Sequence, residues 1–232
     1  MLNNIDPIKF AKNRAYEFVE QQQRALDSGE ISEAQWFSES NTHFTTHYLA
    51  ADNPRAQSGH SGDEAQYRYT RMMALEAIDR SGTFLDVGCA NGYLMESLER
   101  WLSGTGLAVE FYGLDFSDGM LELARQRLPH WQARFFLGNA LYWRPPFRFD
   151  YVYISGLEYV PAGKQKELVR RLIEEYTAVD GRLILGPVTE ERQSSEIRDS
   201  LRDWGFVASG HCEKSHQVHP ELARKLFWFD RP

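Results

Sequence analysis

The segment from Phe84 to Gly92 constrains the fold of this chain more than any other. Its sequence, FLDVGCANG, predicts a buried strand, a turn that contains glycine, and the start of a helix. Gly88 lets the backbone turn tightly and lets a ligand approach the main chain, and Gly92 lets the helix pack close to the strand. The start of the helix is then expected to offer unpaired N–H groups and partial positive charge to an acceptor. We therefore expect a ligand site at one edge of a sheet.

The sequence between Asp63 and Pro187 alternates between the patterns of helices and strands. Apolar strand segments are predicted at 83–88, 108–115, 133–138, 149–155 and 182–188. Helices are predicted from Asp63 to about Ile78, and at 91–102, 118–128 and 164–179. Strands that alternate with helices of this length imply crossover connections and a parallel sheet. Segments such as FLDV are apolar on both faces, as expected of strands that helices cover on both sides.

The two ends of the chain have other patterns. Residues 1–62 predict an N-terminal helical cap within the same domain as 63–232, with helices that begin at Asp6-Pro7 and at Ser32. The Gly- and Ser-rich loop 54–62 is a candidate lid. Near the C-terminus, a helix at about 194–204 is followed by two extended segments, 205–216 and 223–230. No helix separates these two segments, so they predict an antiparallel hairpin at the edge of the sheet.

Composition excludes several classes of protein. Lys and Arg number 26 against 33 Asp and Glu, and a chain with a net charge of −7 repels a phosphate backbone, so we expect no nucleic-acid partner. The two cysteines, Cys89 and Cys212, have neither metal-ligand nor disulfide-framework spacing, which favours a reduced, cytoplasmic protein without a bound metal. No signal peptide and no apolar run of membrane-spanning length is present, so we expect no membrane partner.

The turn itself discriminates between nucleotide ligands. The dinucleotide fingerprint would need glycine at the positions of Ala90 and Tyr93, which argues against an NAD or nucleotide-sugar oxidoreductase. The P-loop needs Gly-Lys-Ser/Thr, which occurs nowhere in the chain. Asp115 ends the next strand, where its carboxylate can accept hydrogen bonds from both hydroxyls of a ribose. Phe116 can pack on the adenine face, and Asn139 with Ala140 follows the third strand, where they can meet the adenine edge.

Together these motifs resemble the class I S-adenosylmethionine-dependent methyltransferases. FLDVGCANG resembles the first motif of that family, GLDFS (113–117) its acidic ribose loop, and GNA (138–140) its adenine loop. Similar segments occur in the expected order at 149–161, 180–187 and 203–207. The resemblance covers about residues 63–231. It implies a Rossmann-like α/β fold with a seven-stranded, mostly parallel sheet, helices on both faces, an antiparallel last strand, and S-adenosylmethionine as the cofactor.

The resemblance also implies roles for individual residues. Asp86 would lie near the methionine amino group and Ser155 under the methionine portion. If the loop 54–62 closes as a lid, Arg55 or Arg71 could meet the methionine carboxylate. The expected cofactor-binding residues are Asp86, Gly88, Cys89, Ala90, Gly92, Asp115, Phe116, Asn139, Ala140, Ser155 and Arg71. The expected substrate-binding residues are Tyr159, Glu158, Tyr48 and His60.

The sequence departs from the family at two places. Asn139 replaces the usual aspartate, which weakens the expected contact with the exocyclic amine of adenine. Glu158-Tyr159 stands where many small-molecule members have Glu-His, so no catalytic base is assigned. A sulfonium is already an activated electrophile, and a base is needed only for a protonated nucleophile.

We therefore expect a methyltransferase with a small-molecule acceptor, acting as a monomer or homodimer. A methyltransferase on RNA or protein and a non-catalytic binder of S-adenosylmethionine or S-adenosylhomocysteine are the alternatives.

Overall fold

The computed structural model describes residues 17–232, so the predicted helix start at Asp6-Pro7 lies outside the described residues. Helices α1 to α7 are Glu17–Asp27, Glu33–Leu49, Glu64–Arg71, Tyr93–Leu102, Asp118–Arg127, Ala162–Arg171 and Glu196–Asp203. Strands β1 to β7 are Gly82–Val87, Val109–Asp115, Phe135–Leu137, Phe149–Ile154, Thr177–Glu191, Gly210–Ser215 and Leu222–Asp230. Short 3₁₀ helices cover Ala56–Ser58, Met72–Ala77 and Pro129–Arg134, and a π turn covers Leu172–Tyr176.

The strands form one seven-stranded sheet in the order β3-β2-β1-β4-β5-β7-β6. Neighbouring strands from β3 to β5 are parallel, whereas β7 is antiparallel to both β5 and β6. The predicted Rossmann-like sheet and its edge hairpin are thus confirmed. Strand order reverses between β1 and β4, and open α/β sheets bind ligands at the carboxyl ends of the strands beside such a point.

Two apolar clusters cover the two faces of the sheet. Because side chains alternate along a strand, Phe84 and Leu85 of β1 point to opposite faces. Phe84 packs in one cluster with residues of α4 and α5, and Leu85 packs in the other with residues of α6. Asp86 is therefore on the same face as Phe84, inside the protein rather than at its surface.

The predicted boundary between the helix at 164–179 and the strand that follows it is wrong. The helix predicted at 164–179 ends at Tyr176, and the last strand of the parallel set begins at Thr177 rather than at Arg182. The Thr177 hydroxyl donates to the Leu172 carbonyl at 2.7 Å, and Thr177 pairs with Phe149 of β4. Pairing with the neighbouring strand and a β-branched side chain override the local helical pattern at this point.

The N-terminal helices pack over the carboxyl edge of the sheet. Helix α2 begins at Ser32, whose side chain and Gln35 form a capping box. Thr45 on α2 shares a 2.6 Å hydrogen bond with the Ser117 hydroxyl, directly after β2. The loop that follows α2 is tied to the turn after β1, because the Asn91 side chain donates to the Pro54 carbonyl at 2.8 Å. These contacts form a roof above the end of β1.

We predict that Gly92→Ala destabilises the protein more than Gly104→Ala does. Both glycines have positive φ, +75° and +86°, so both alanines are strained by about 1–2 kcal/mol. A Cβ at residue 92 would also lie 2.7 Å from Leu128 Cδ1, whereas a Cβ at residue 104 meets nothing within 4 Å. Overpacking should therefore add about 1–3 kcal/mol to the loss at residue 92 alone.

Urea denaturation of the two variants measures this difference. Equal losses of unfolding free energy in the two variants would contradict this prediction, because they would show that the Leu128 side chain moves aside with no loss of stability.

Candidate functional site

A cleft opens at the carboxyl ends of β1, β2 and β4, beneath α2 and the loop 54–62. Its empty space, which includes the open mouth, is about 1040 Å³. Ten of the residues proposed from the sequence line it: Tyr48, Arg71, Gly88, Ala90, Asp115, Phe116, Asn139, Ala140, Ser155 and Tyr159. These residues come from seven separate stretches of the chain.

The turn after β1 forms the floor of the cleft. Gly88 has φ +80°, and a Cβ built on it would meet no atom within 4 Å, so the backbone is open to a ligand here. The turn amides are not free, contrary to the sequence-based expectation. The amides of Gly88 and Cys89 both donate to the Leu114 carbonyl, at 2.7 and 3.1 Å. The turn therefore offers a ligand close backbone contact rather than a set of unpaired donors.

Asp115 joins the turn to the next strand. One carboxylate oxygen accepts the Ala90 amide at 2.8 Å, and the other accepts the Ser117 amide at 2.9 Å. Asp115 is only 7% exposed, and burial raises its pKa, although the backbone N–H groups of Ser117, Ala90 and Phe116 oppose this. A carboxylate has about four acceptor sites, so Asp115, which lines the cleft, keeps acceptor capacity for a ligand hydroxyl.

Two ionisable side chains, Arg71 and Asp86, lie between β1, β4 and α3. Arg71 donates to the Tyr153 hydroxyl at 3.0 Å, and its charge acts on the carboxyl of Asp86. Asp86 is the neighbour of Tyr153 in the register of β1 and β4. The pKa of Asp86 is raised to about 7, mainly by burial; Arg71 opposes this rise and Asp115 adds to it. Arg71 lines the cleft, and Asp86 lies behind it.

Besides Asp86, four residues proposed from the sequence do not line the cleft: Cys89, Gly92, Glu158 and His60. Cys89 packs against Gly113, where an added Cβ would lie 2.6 Å from its sulfur. Burial raises the pKa of this thiol, so it stays protonated and serves packing. Gly92 has the packing role described above. His60 and Glu158 lie next to lining residues, Gly59 and Tyr159, in the chain.

The wall opposite the turn is aromatic. The hydroxyl of Tyr48 is hydrogen-bonded to Tyr159, and burial raises the pKa of Tyr48. The ring of Phe44 meets Tyr159 edge-to-face at 5.2 Å. Sequence reasoning missed Phe37 and Phe44, which line the cleft with Tyr48. Their spacing of seven and four residues on α2 places all three on one helix face, and this was the signal available.

Solved structures share this fold. An N-methyltransferase, NodS, from Bradyrhizobium japonicum WM9 is 16% identical at a TM-score of 0.58, with 83% of this chain and 98% of NodS covered. The 1,6-didemethyltoxoflavin-N1-methyltransferase of Burkholderia thailandensis is 14% identical at a TM-score of 0.63, covering 87% and 91%. Magnesium protoporphyrin IX methyltransferase from Synechocystis PCC 6803 is 16% identical at 0.54, covering 83% and 97%. Identities this low establish the fold alone.

The sequence adds one finding to the shared fold. A comparison with curated proteins gives no significant match. Residues 84–175, however, match the family model of a methyltransferase domain, and this range contains both the turn and Asp115. This segment of the chain is therefore similar to methyltransferase domains, in agreement with the resemblance of its motifs to the class I S-adenosylmethionine-dependent methyltransferases.

Among residues 17–232, no group of three or more His, Cys, Asp or Glu side chains could hold a metal ion. No helix within the same range is long and apolar enough to cross a bilayer.

We predict that Asp86→Asn removes a pH-dependent loss of stability. The unfolded-state pKa of an aspartate is about 3.9, and the pKa of Asp86 in the folded protein is about 7. Between these pH values the folded protein keeps a proton that the unfolded chain has lost. The unfolding free energy of the ligand-free protein should therefore fall as pH rises from 4 to 7, by up to about 4 kcal/mol, and level off above pH 7.

Urea denaturation at pH 4.5, 6, 7 and 8 measures this effect as the difference in unfolding free energy between wild type and Asp86→Asn. Asp118→Asn, at an exposed position on α5, is the matched control and should follow wild type. A difference that does not change between pH 4.5 and 8 would contradict the raised pKa.

Proposed function

We propose that this protein transfers the methyl group of S-adenosylmethionine to a small-molecule acceptor. The observation that carries the proposal is the roofed cleft, which is covered by side chains of α2 and by Ser58 and Gly59. A polymer would have to displace this roof to reach the floor, whereas a small molecule fits beneath it. The net charge of −7 also disfavours an RNA acceptor.

The adenosine portion would lie at the ends of β2 and β3. The carboxylate of Asp115, which lines the cleft, would accept from the ribose hydroxyls, and Phe116 and Met120 would supply apolar contact for the adenine ring. Asn139 accepts the Leu141 amide with its side-chain oxygen at 3.0 Å. Its NH₂ group is therefore the part suited to the adenine edge, where it would donate to a ring nitrogen. An aspartate at this position would accept from the exocyclic amine instead.

The methionine portion would lie above β1 and β4. Its carboxylate is matched by Arg71 at the cleft wall, and its ammonium by Asp86 behind that wall. Gly88 lets the ligand approach the backbone between these two charges, and Ser155 follows β4 on the opposite side. A zwitterionic tail thus meets one charge of each sign.

The chain's own contribution to the reaction is alignment and exclusion of water. Bound S-adenosylmethionine supplies a methyl group on a sulfonium, an electrophile that is already activated. The hydroxyls of Tyr48 and Tyr159 are placed to hold the acceptor in line with it. Because burial raises the pKa of Tyr48, this hydroxyl is a hydrogen-bond donor at neutral pH and not a base.

We predict that Asp115→Ala binds S-adenosylhomocysteine at least about 30-fold more weakly than wild type. Hydrogen bonds to a charged group contribute about 1.5–3 kcal/mol each, and 1.4 kcal/mol is tenfold in affinity. Asp118→Ala, three residues along and exposed, is the control and should bind normally. Calorimetric titration measures both, and Asp115→Asn serves as a second variant that keeps the shape of the side chain.

Unchanged affinity in Asp115→Ala would refute the ribose assignment. Binding of NAD by wild type without binding of S-adenosylhomocysteine would refute the proposed function itself.

A further inference from the structure

One wall of the cleft remains after the proposed portions of the cofactor are placed. The adenosine portion is proposed at the ends of β2 and β3, and the methionine portion beside Arg71. The side chains of Phe44, Tyr48 and Tyr159 also line the cleft, and neither portion of the cofactor uses them. Phe44 and Tyr48 lie on α2, and Tyr159 lies in the connection between β4 and α6. We call these three side chains the acceptor wall.

The acceptor wall lies beside the position proposed for the sulfonium. Burial is the main cause that raises the pKa of Tyr48, and two charges that line the cleft also act on it, since Asp115 raises this pKa and Arg71 lowers it. The Tyr48 hydroxyl is therefore near both the residue proposed for the ribose and the residue proposed for the methionine carboxylate. In S-adenosylmethionine the sulfonium joins these two portions. A molecule that packs on the acceptor wall would thus lie next to the methyl group.

Contacts within the acceptor wall fix the inclinations of its three rings. The Phe44 ring lies 5.2 Å from the Tyr159 ring at an interplanar angle of 72°, and 6.0 Å from the Tyr48 ring at 44°. The Tyr48 hydroxyl is hydrogen-bonded to Tyr159 and packs on the loop 54–62, because a Cβ added at Gly59 would lie 2.6 Å from the hydroxyl oxygen. Another aromatic ring can pack offset or edge-to-face against rings held in this way. An aliphatic acceptor would bury a similar apolar area but would not gain from this geometry.

The charges that line the cleft favour a neutral acceptor. Among the described residues of the lining, only Arg71 and Asp115 are charged, and the methionine carboxylate and the ribose are proposed to use them. An ionised group that is buried without a partner has a large free-energy cost. A cationic acceptor would also meet the positive sulfonium at close range. Glu158 raises the pKa of Tyr48 as well, but it acts from outside the lining.

The acceptor wall also offers hydrogen bonds to an uncharged polar group. A tyrosine hydroxyl both donates and accepts, so the Tyr48 hydroxyl can bond a ligand atom as well as Tyr159. Resting on the proposed function, we infer that the methyl acceptor is a neutral, planar aromatic compound that packs on Phe44, Tyr48 and Tyr159. It carries a hydroxyl, a carbonyl or a ring nitrogen within reach of the Tyr48 hydroxyl.

Calorimetry on the full chain saturated with S-adenosylhomocysteine tests this inference. The four probes share one bicyclic skeleton, and they are 2-naphthol, its saturated analogue decahydro-2-naphthol, anionic 2-naphthoate and cationic 2-naphthylmethylammonium. The saturated analogue keeps the hydroxyl and the apolar surface but has no flat ring. We expect 2-naphthol to bind at least about fivefold more tightly than each of the other three, because it alone is both flat and neutral.

Two variants assign the residues of the acceptor wall. Phe44→Leu keeps an apolar side chain without a ring, and Tyr48→Phe keeps the ring without the hydroxyl. Each should weaken binding of 2-naphthol by at least about threefold and leave the affinity for S-adenosylhomocysteine within about twofold. Phe147→Leu, at an exposed side chain that does not line the cleft, is the matched control and should bind 2-naphthol as wild type does. Urea denaturation of each variant confirms that the fold is retained.

Several results would overturn the inference. Absent binding of 2-naphthol, or equally tight binding of its saturated analogue, would show that the wall does not select a flat ring. Tighter binding of 2-naphthoate or of 2-naphthylmethylammonium would contradict a neutral acceptor, and the ammonium result would assign Glu158 to a cationic one. Normal binding of 2-naphthol by Phe44→Leu, or a loss of its affinity for S-adenosylhomocysteine, would place the acceptor elsewhere. If wild type fails to bind S-adenosylhomocysteine, the proposed function fails together with this inference, whereas failure with 2-naphthol alone leaves the proposed function standing.

Discussion

The carboxylate of Asp115 holds the site together. By accepting the amides of Ala90 and Ser117, it fixes the turn after β1 against the turn after β2. These two turns form the floor of the cleft, and the amides of Gly88 and Cys89 add a second link between them through the Leu114 carbonyl. The same carboxylate lines the cleft, so one buried group serves both the architecture and the proposed ribose contact. A mutation there removes a structural link as well as a ligand contact.

The roof depends on a second buried polar residue. Asn91 is fully buried, and its amide donates to the Pro54 carbonyl while its oxygen accepts the Tyr93 amide. The loop 54–62 is thereby attached to the same turn that Asp115 fixes. Arg55 and His60 are carried on this loop, so their positions depend on its attachment to the turn after β1.

Much of the fold could be predicted from the sequence because its signals are local. The alternation of helix and strand patterns gave the parallel sheet, and capping residues such as Ser32, Asp63 and Ser117 marked helix starts that the structure confirms. The residues of the cleft floor could also be predicted from local sequence, because they directly follow strands in the chain. The pairing of the turn amides with Leu114 and Asp115 could not be predicted, because it depends on the register between two strands.

The roof is a long-range feature. Asn91 is 37 positions after Pro54 in the numbering, and only the folded sheet brings the turn after β1 against the loop 54–62. The predicted end of the helix at 164–179 was wrong for a related reason. Thr177 pairs with Phe149 of β4 and joins the sheet, although the local sequence has a helical pattern. Local propensity is overridden where tertiary pairing stabilises the alternative.

A crystal structure of the complex with S-adenosylhomocysteine tests the central claim most directly, through the distances from the Asp115 oxygens to the two ribose hydroxyl oxygens. The account predicts that both distances lie at about 2.5–3.0 Å, with the amides of Ala90 and Ser117 still bonded to the same carboxylate. A ribose bound elsewhere, or an Asp115 side chain that points away from the ligand, would contradict it.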